Sequence, residues 1–131
     1  MDPIKLFTVI ALISLPTVMF GGVSMLRLSA LQKLTPFQHN YFKAGHAHAG
    51  VLLVLALVSL NILGGTDLGT GVRWLVCVLL LVGVLAHSGG MFVHAFFGQA
   101  GQWSRGNTLT VSGGLCLAVA ILTLAIGVII T

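Results

Sequence analysis

Five histidines, His39, His46, His48, His87 and His94, stand in a chain that is otherwise almost devoid of ionisable groups. Two of them interrupt the stretch Phe42-Lys43-Ala44-Gly45-His46-Ala47-His48-Ala49-Gly50, which runs straight into the apolar segment Val51-Leu52-Leu53-Val54-Leu55-Ala56-Leu57-Val58. An imidazole can ligate a metal ion or heme iron, or pass a proton near neutral pH. An ionisable side chain at membrane depth is expensive, and it usually faces a functional interior instead of lipid. The pair is therefore read as a site, with metal or heme ligation as its chemistry.

The elements that must hold these residues follow from composition. Of 131 residues 57% are hydrophobic and 6% are charged, and the mean hydropathy is +1.10, whereas a soluble domain carries about a quarter charged residues. Apolar stretches of the roughly 20 residues that cross a bilayer occur four times. The expected fold is all-α: one domain over 1–131, an integral membrane four-helix bundle with helices at about 3–26, 36–63, 73–97 and 107–130. The first segment resembles a signal peptide in being basic in front and apolar behind, but its apolar run is too long and no small-x-small cleavage site closes it. Pro16 is expected to kink the first helix. Thr35-Pro36 reads as the start of the second, with Thr35 as N-cap and Pro36 at the first helical position. Cys77 and Cys116 fall inside the third and fourth spans and read as small buried residues. The fourth helix holds no ionisable side chain beyond its start, so packing or lipid contact is expected of it, with Ser112-Gly113-Gly114 permitting close approach.

The net charge of +4 comes from six scattered basic residues against two acids, which suits anchoring at a membrane surface and excludes nucleic acid as a partner. The face with Arg27, Lys33, Lys43 and Arg105 outweighs the one with Lys5 and Arg73, and the positive-inside rule makes that side cytoplasmic. The expected location is a cell membrane, the inner membrane of a prokaryotic cell.

Spacing arranges the histidines in two layers. The second helix starts on the side where the third ends, so His39 and His94 lie within about one turn of that face, and His46, His48 and His87 lie roughly 15 Å deep at 1.5 Å per residue. His39 and His46 are seven apart, as are His87 and His94, so each helix presents one histidine stripe, and the two stripes are expected to face a common cavity. His46 and His48 are two apart, about 200° round the helix, and cannot reach one ion. If both are ligands they serve different sites, or equivalent sites in neighbouring subunits. Bis-histidine heme is the cofactor this suggests, with Gly45, Gly50, Gly89 and Gly90 leaving space for a flat macrocycle.

At His46-Ala47-His48-Ala49-Gly50-Val51-Leu52 the chain resembles subunit I of the heme-copper oxidases and nitric oxide reductases, whose helices carry His-x-His or His-x-Asn-Leu motifs that ligate heme. That subunit has twelve helices in three four-helix arcs. The resemblance implies that this chain is one arc and that three copies form a homotrimer of twelve helices. It also implies that the paired histidines serve different hemes, that His87 and His94 are candidates for a second metal, and that the His-rich face lies outside the cytoplasm, opposite to the charge count. The chain has no His-Pro-Glu-x-Tyr stretch, no adjacent His-His pair and no intramembrane carboxylate, so oxygen reduction is not part of what it implies.

The expectation is thus a small membrane protein binding heme b through His46 and His48, with His87 as a further ligand. His39 and His94 are expected to form a shallower site for copper or zinc. Its role would be electron transfer with a redox partner, or binding of a diatomic gas. A histidine-lined carrier or channel for metal ions or protons is the rival from another class, and a non-catalytic assembly subunit is the third. Enzymatic chemistry by side chains alone has little to work with, since Asp2 and Asp67 are the only acids and no nucleophile and base pair is present. Any catalysis would belong to the cofactor.

Overall fold

The computed structural model describes residues 1–130 and is all-helical, with α1 (Pro3–Ala30), α2 (Pro36–Gly64), α3 (Thr70–Phe97) and α4 (Arg105–Ile130) joined by short turns. All four helices are long and apolar enough to cross a membrane. Asp2 starts α1 by accepting from the Ile4 amide at 3.0 Å, and the helix continues unbroken through Pro16. It also continues past Arg27, expected to open the loop, because a cation in the last turn complements the carbonyl end. Gln32, at φ 52°, then turns the chain.

Thr35 and Pro36 begin α2 as expected. The Thr35 hydroxyl accepts from the Gln38 amide at 3.2 Å, and the Gln38 side chain accepts from the Thr35 amide at 3.1 Å, so two orphan donors are satisfied reciprocally. Thr35→Ala is expected to cost about 1 kcal/mol, read as an earlier loss of α2 helicity in a denaturant titration, while Thr35→Ser costs a fraction of that. The turn before α3 is held by Arg73, whose guanidinium donates to the carbonyls of Leu68 at 2.8 Å and Thr66 at 2.5 Å. The Arg73 amide donates to the Gly69 carbonyl at 3.1 Å, so the helix starts at Thr70 and not at Arg73. Ser104 caps α4: its hydroxyl accepts from the Gly106 amide at 3.0 Å, and Asn107 Oδ1 accepts from the Ser104 amide at 3.1 Å.

Each helix packs on its neighbour in sequence, and α3 with α4 does so most intimately. The reason is a seven-residue repeat of small residues, which returns to nearly the same helical face. Gly83 and Gly90 on α3 meet Gly106 and Gly113 on α4, and all four are buried, with Ala120 and Gly127 continuing the α4 stripe. A Cβ on Gly106 would come within 2.6 Å of the Gly90 carbonyl oxygen, and one on Gly113 would overlap the His87 amide. Without a hydrophobic force between helices in lipid, such close backbone approach is a principal source of cohesion.

Elsewhere the assembly is open. α1 reaches α3 and α2 reaches α4 only lightly, and among the described residues α1 and α4 do not touch. The chain is an arc with two sides. On one, α1 and α3 straddle α2 around an apolar cavity of about 150 Å³ lined by Phe7, Leu53, Leu80 and Val84 among others. On the other, α2 and α4 straddle α3.

Candidate functional site

The 200° separation of His46 and His48 sends them to opposite sides of the arc. His46 lies toward α1, in a small cavity with Thr17, Val18, Gly21, Phe42 and Phe92. A Cβ on Gly22 would sit 2.8 Å from His46 Nε2, and one on Gly21 3.7 Å from Nδ1. The double glycine is therefore a notch that receives the imidazole. Gly22→Leu fills this notch and is expected to loosen α1, which has only Pro3, Phe7 and Ala11 buried. Hydrogen exchange should then rise in α1 and stay unchanged in the α3–α4 hairpin.

His48 faces the other side and meets His87, with ring centroids 5.2 Å apart and planes tilted by 46°. Both rings are held through Nδ1. That of His48 lies 2.8 Å from the Ala44 carbonyl oxygen in its own helix, and that of His87 lies 3.0 Å from the Thr110 carbonyl oxygen on α4. A carbonyl only accepts, so each Nδ1 carries the proton and each Nε2 keeps its lone pair. This is the arrangement that fixes the tautomer and orientation of a ligating imidazole. His48 is exposed and His87 half-buried, so the lone pairs are not sealed in the core. The reach of His87 to Thr110 depends on α4 being small beside it: a Cβ on Gly114 would stand 3.3 Å from His87 Nδ1.

The expected common cavity for the His39/His46 and His87/His94 stripes does not form. α2 turns the first stripe toward α1, while α3 turns the second toward α4, and His48 is the α2 residue that meets His87. The shallow pair is also divided. His39 lines a groove at the α1–α2 turn with Ser29, Gln32, Leu34, Pro36 and Asn40. His94 is 2% exposed and is enclosed by the rings of Phe37 and Tyr41 at 5.3 and 4.4 Å between centroids. Its Nδ1 lies 2.6 Å from Ser104 Oγ in the α4 cap. Among the described residues no three His, Cys, Asp or Glu side chains gather as an ion would need.

The glycines expected to make room for a macrocycle divide too. Gly45 packs against Met91 and Phe92, with a Cβ there 3.2 Å from both, and Gly90 is spent on α4, whereas Gly89 borders open space and Gly50 nearly so. The helix assigned only to packing, α4, supplies the Thr110 carbonyl to His87 and the Ser104 cap to His94. The signal for that role was the spacing of Gly106 and Gly113, which seats α4 on the histidine face of α3.

Metal–nitrogen bonds of about 2.0–2.1 Å put each ring centroid about 3 Å from an ion, so two imidazoles at a tetrahedral ion stand about 5 Å apart and two trans on one iron about 6 Å. The observed 5.2 Å matches the first arrangement. As placed, the two rings suit one four-coordinate ion with other ligands from outside the chain, or one of them suits an axial position on a heme. The chain matches no protein-family model, no curated protein and no solved structure.

Proposed function

We propose that this chain is a membrane hemoprotein whose cofactor, heme b, is held at the His48–His87 pair and serves electron transfer or the binding of a diatomic gas. The observation that supports this most is the pair of Nδ1 bonds to main-chain carbonyls, which leave two oriented Nε2 lone pairs at membrane depth. Heme iron accepts such a nitrogen, and the group when bound supplies a one-electron couple and a gas-binding position. The exposure of His48 fits a flat group lying against the arc. His46, packed on Gly22, is outside this centre, so of the two histidines in the oxidase-like motif His48 is the proposed ligand.

The site is incomplete within one chain, since it has two imidazoles and an open flank. We infer that further copies close it, with three arcs giving the twelve-helix ring that the resemblance to heme-copper oxidase subunit I implies. The free ends of the arc, α1 and α4, which do not meet each other, are the edges available for such contacts. A second reading, favoured by the 5.2 Å spacing, is a single copper or zinc ion at the pair. The two are separated by titrating the purified apo-protein with hemin in detergent and, in parallel, with zinc and copper. The heme reading expects a saturable Soret band at one heme per site. Stoichiometric metal uptake with no heme spectrum would replace it by the second reading.

A further inference from the structure

At the α1–α2 turn is a groove of about 460 Å³ lined by Ser29, Gln32, Leu34, Pro36, His39 and Asn40. α1 ends beside it at Ala30 and α2 begins at Pro36, so it opens where two helices long enough to cross a membrane meet the headgroup layer. It stands apart from the His48–His87 pair, and whether heme occupies that pair has no bearing on it. We propose that this groove seats the phosphodiester headgroup of an anionic phospholipid of the phosphatidylglycerol type.

One hydroxyl beside the groove is orphaned. Ser14, Ser24, Ser88 and Ser112 each donate to the carbonyl four residues earlier, the usual resort of a serine within a helix. Ser29 does not, and its Oγ is the one buried side-chain oxygen or nitrogen without a partner among the described residues. Such a group is costly to leave unmatched. Ser29 itself is half-buried and lines the groove, so rotation about its one side-chain bond is enough to present the hydroxyl there. Gln32 and Asn40 each add an amide NH₂, and His39 adds a ring N–H in either neutral tautomer. None of these three side chains is held in a hydrogen bond by a described residue. Ser29, Gln32, His39 and Asn40 thus bring donors to one concave surface that carries no anion of its own.

Charge singles out the same end of the molecule. Lys33 stands next to Gln32, and Lys43 lies three residues beyond Asn40 and four beyond His39, on the same face of α2. Side chains on a helix lean toward its N-terminus, which in α2 is the groove end. Arg27 stands in the last turn of α1. The two acids are at the other end of the bundle, Asp2 capping the start of α1 and Asp67 in the α2–α3 turn. A phosphodiester supplies what this end lacks, a negative charge on oxygens that accept. A glycerol headgroup leaves that charge uncompensated, whereas choline or ethanolamine would bring a further cation among Arg27, Lys33 and Lys43. The lipid, in preference to free phosphate, follows from Leu26, exposed about one turn before Ser29, and from Leu34 and Pro36 in the groove wall. These give apolar surface along which the glycerol backbone and an acyl chain can lie.

In the test, the full chain is purified in dodecylmaltoside, stripped of lipid and titrated with phosphatidylglycerol or phosphatidylcholine in mixed micelles, and bound lipid is counted by native mass spectrometry. Saturable binding of phosphatidylglycerol is expected, with Kd at least about 10-fold below that of phosphatidylcholine. Ser29→Ala combined with Asn40→Ala keeps every formal charge and should weaken binding about 10-fold or more, since hydrogen bonds to a charged group are the strong kind. The lipid-free chain should remain as stable as before, because the double variant removes an orphaned hydroxyl and an exposed amide. Lys5→Gln, at the far end, should change neither quantity. Equal affinity for the two lipids would overturn the proposal, and so would unaltered binding in the double variant, which would reduce the effect to general attraction by the basic surface. Displacement of phosphatidylglycerol by millimolar inorganic phosphate would also overturn it, the groove then being a site for a soluble anion.

Discussion

Gly113→Leu is expected to leave little folded protein. A Cβ at this position already overlaps the His87 amide and lies 2.8 Å from the Ala86 carbonyl carbon, so the obstacle is main chain that cannot rotate away. Overpacking costs typically 1–3 kcal/mol and occasionally more, and a leucine here is expected at or above the top of that range. Separating α4 from α3 also removes the bond of His87 to Thr110, worth about 1 kcal/mol. A combined loss of about 4 kcal/mol consumes most of a stability near the lower end of the usual 5–15 kcal/mol. The measurement is unfolding of detergent-solubilised protein followed by circular dichroism. Leucine in place of Gly89, which borders open space, should shift the midpoint by far less. Equal shifts for the two would mean that the seven-residue glycine repeat is not what joins the helices.

His48→Ala is expected to give the largest functional effect, lowering affinity for the bound cofactor by about 100-fold or more, and His87→Ala equals it where a single ion sits at the pair. Removing an outer-shell partner of a ligating histidine typically costs 10–100-fold, so removing the ligand itself should reach at least the upper end. His46→Ala, which takes away a ring seated in the α1 notch and not directed at the pair, should lower cofactor content little while loosening α1. Comparing cofactor content per folded chain across the three variants decides the assignment. The reverse order, with His46 essential and His48 dispensable, would move the centre to the other side of the arc.

What could be read in the chain before its fold was known is set by the range of the interaction concerned. Four spans, the Thr35-Pro36 helix start and the divergence of His46 from His48 all depend on hydropathy or helical period within one segment, and the structure has each of them. The expected pairing of the histidine stripes does not form, because it depends on which helix faces which, and that is not set within one segment. That facing was written in the small residues. Gly83, Gly90, Gly106 and Gly113 repeat at seven, and only the α3–α4 contact lets both stripes be buried together. That contact places the Thr110 carbonyl beside His87, and His94 beside the Ser104 cap. The burial of His94 in an aromatic enclosure depends on α2 meeting the end of α3, which no local pattern in the chain announces.

A cavity lined by His94 and the pair at His48 and His87 lie along one side of the arc, with His87 and His94 about 10 Å apart along α3 at 1.5 Å per residue. One groove thus carries an interfacial pocket at its mouth and two oriented imidazoles deeper in, while the opposite side is walled mostly by aliphatic side chains. Hydroxyls on that opposite side are turned back on their own helices: Ser14 donates to Ile10 at 2.8 Å and Ser88 to Val84 at 2.6 Å.

The most direct test of the account is an absorption spectrum, with iron content per chain, of the protein purified from membranes of cells supplied with heme. The account predicts a Soret band that shifts on reduction and is absent in His48→Ala protein of unchanged helicity. Colourless protein without iron, or a Soret band that survives loss of both histidines, would contradict it.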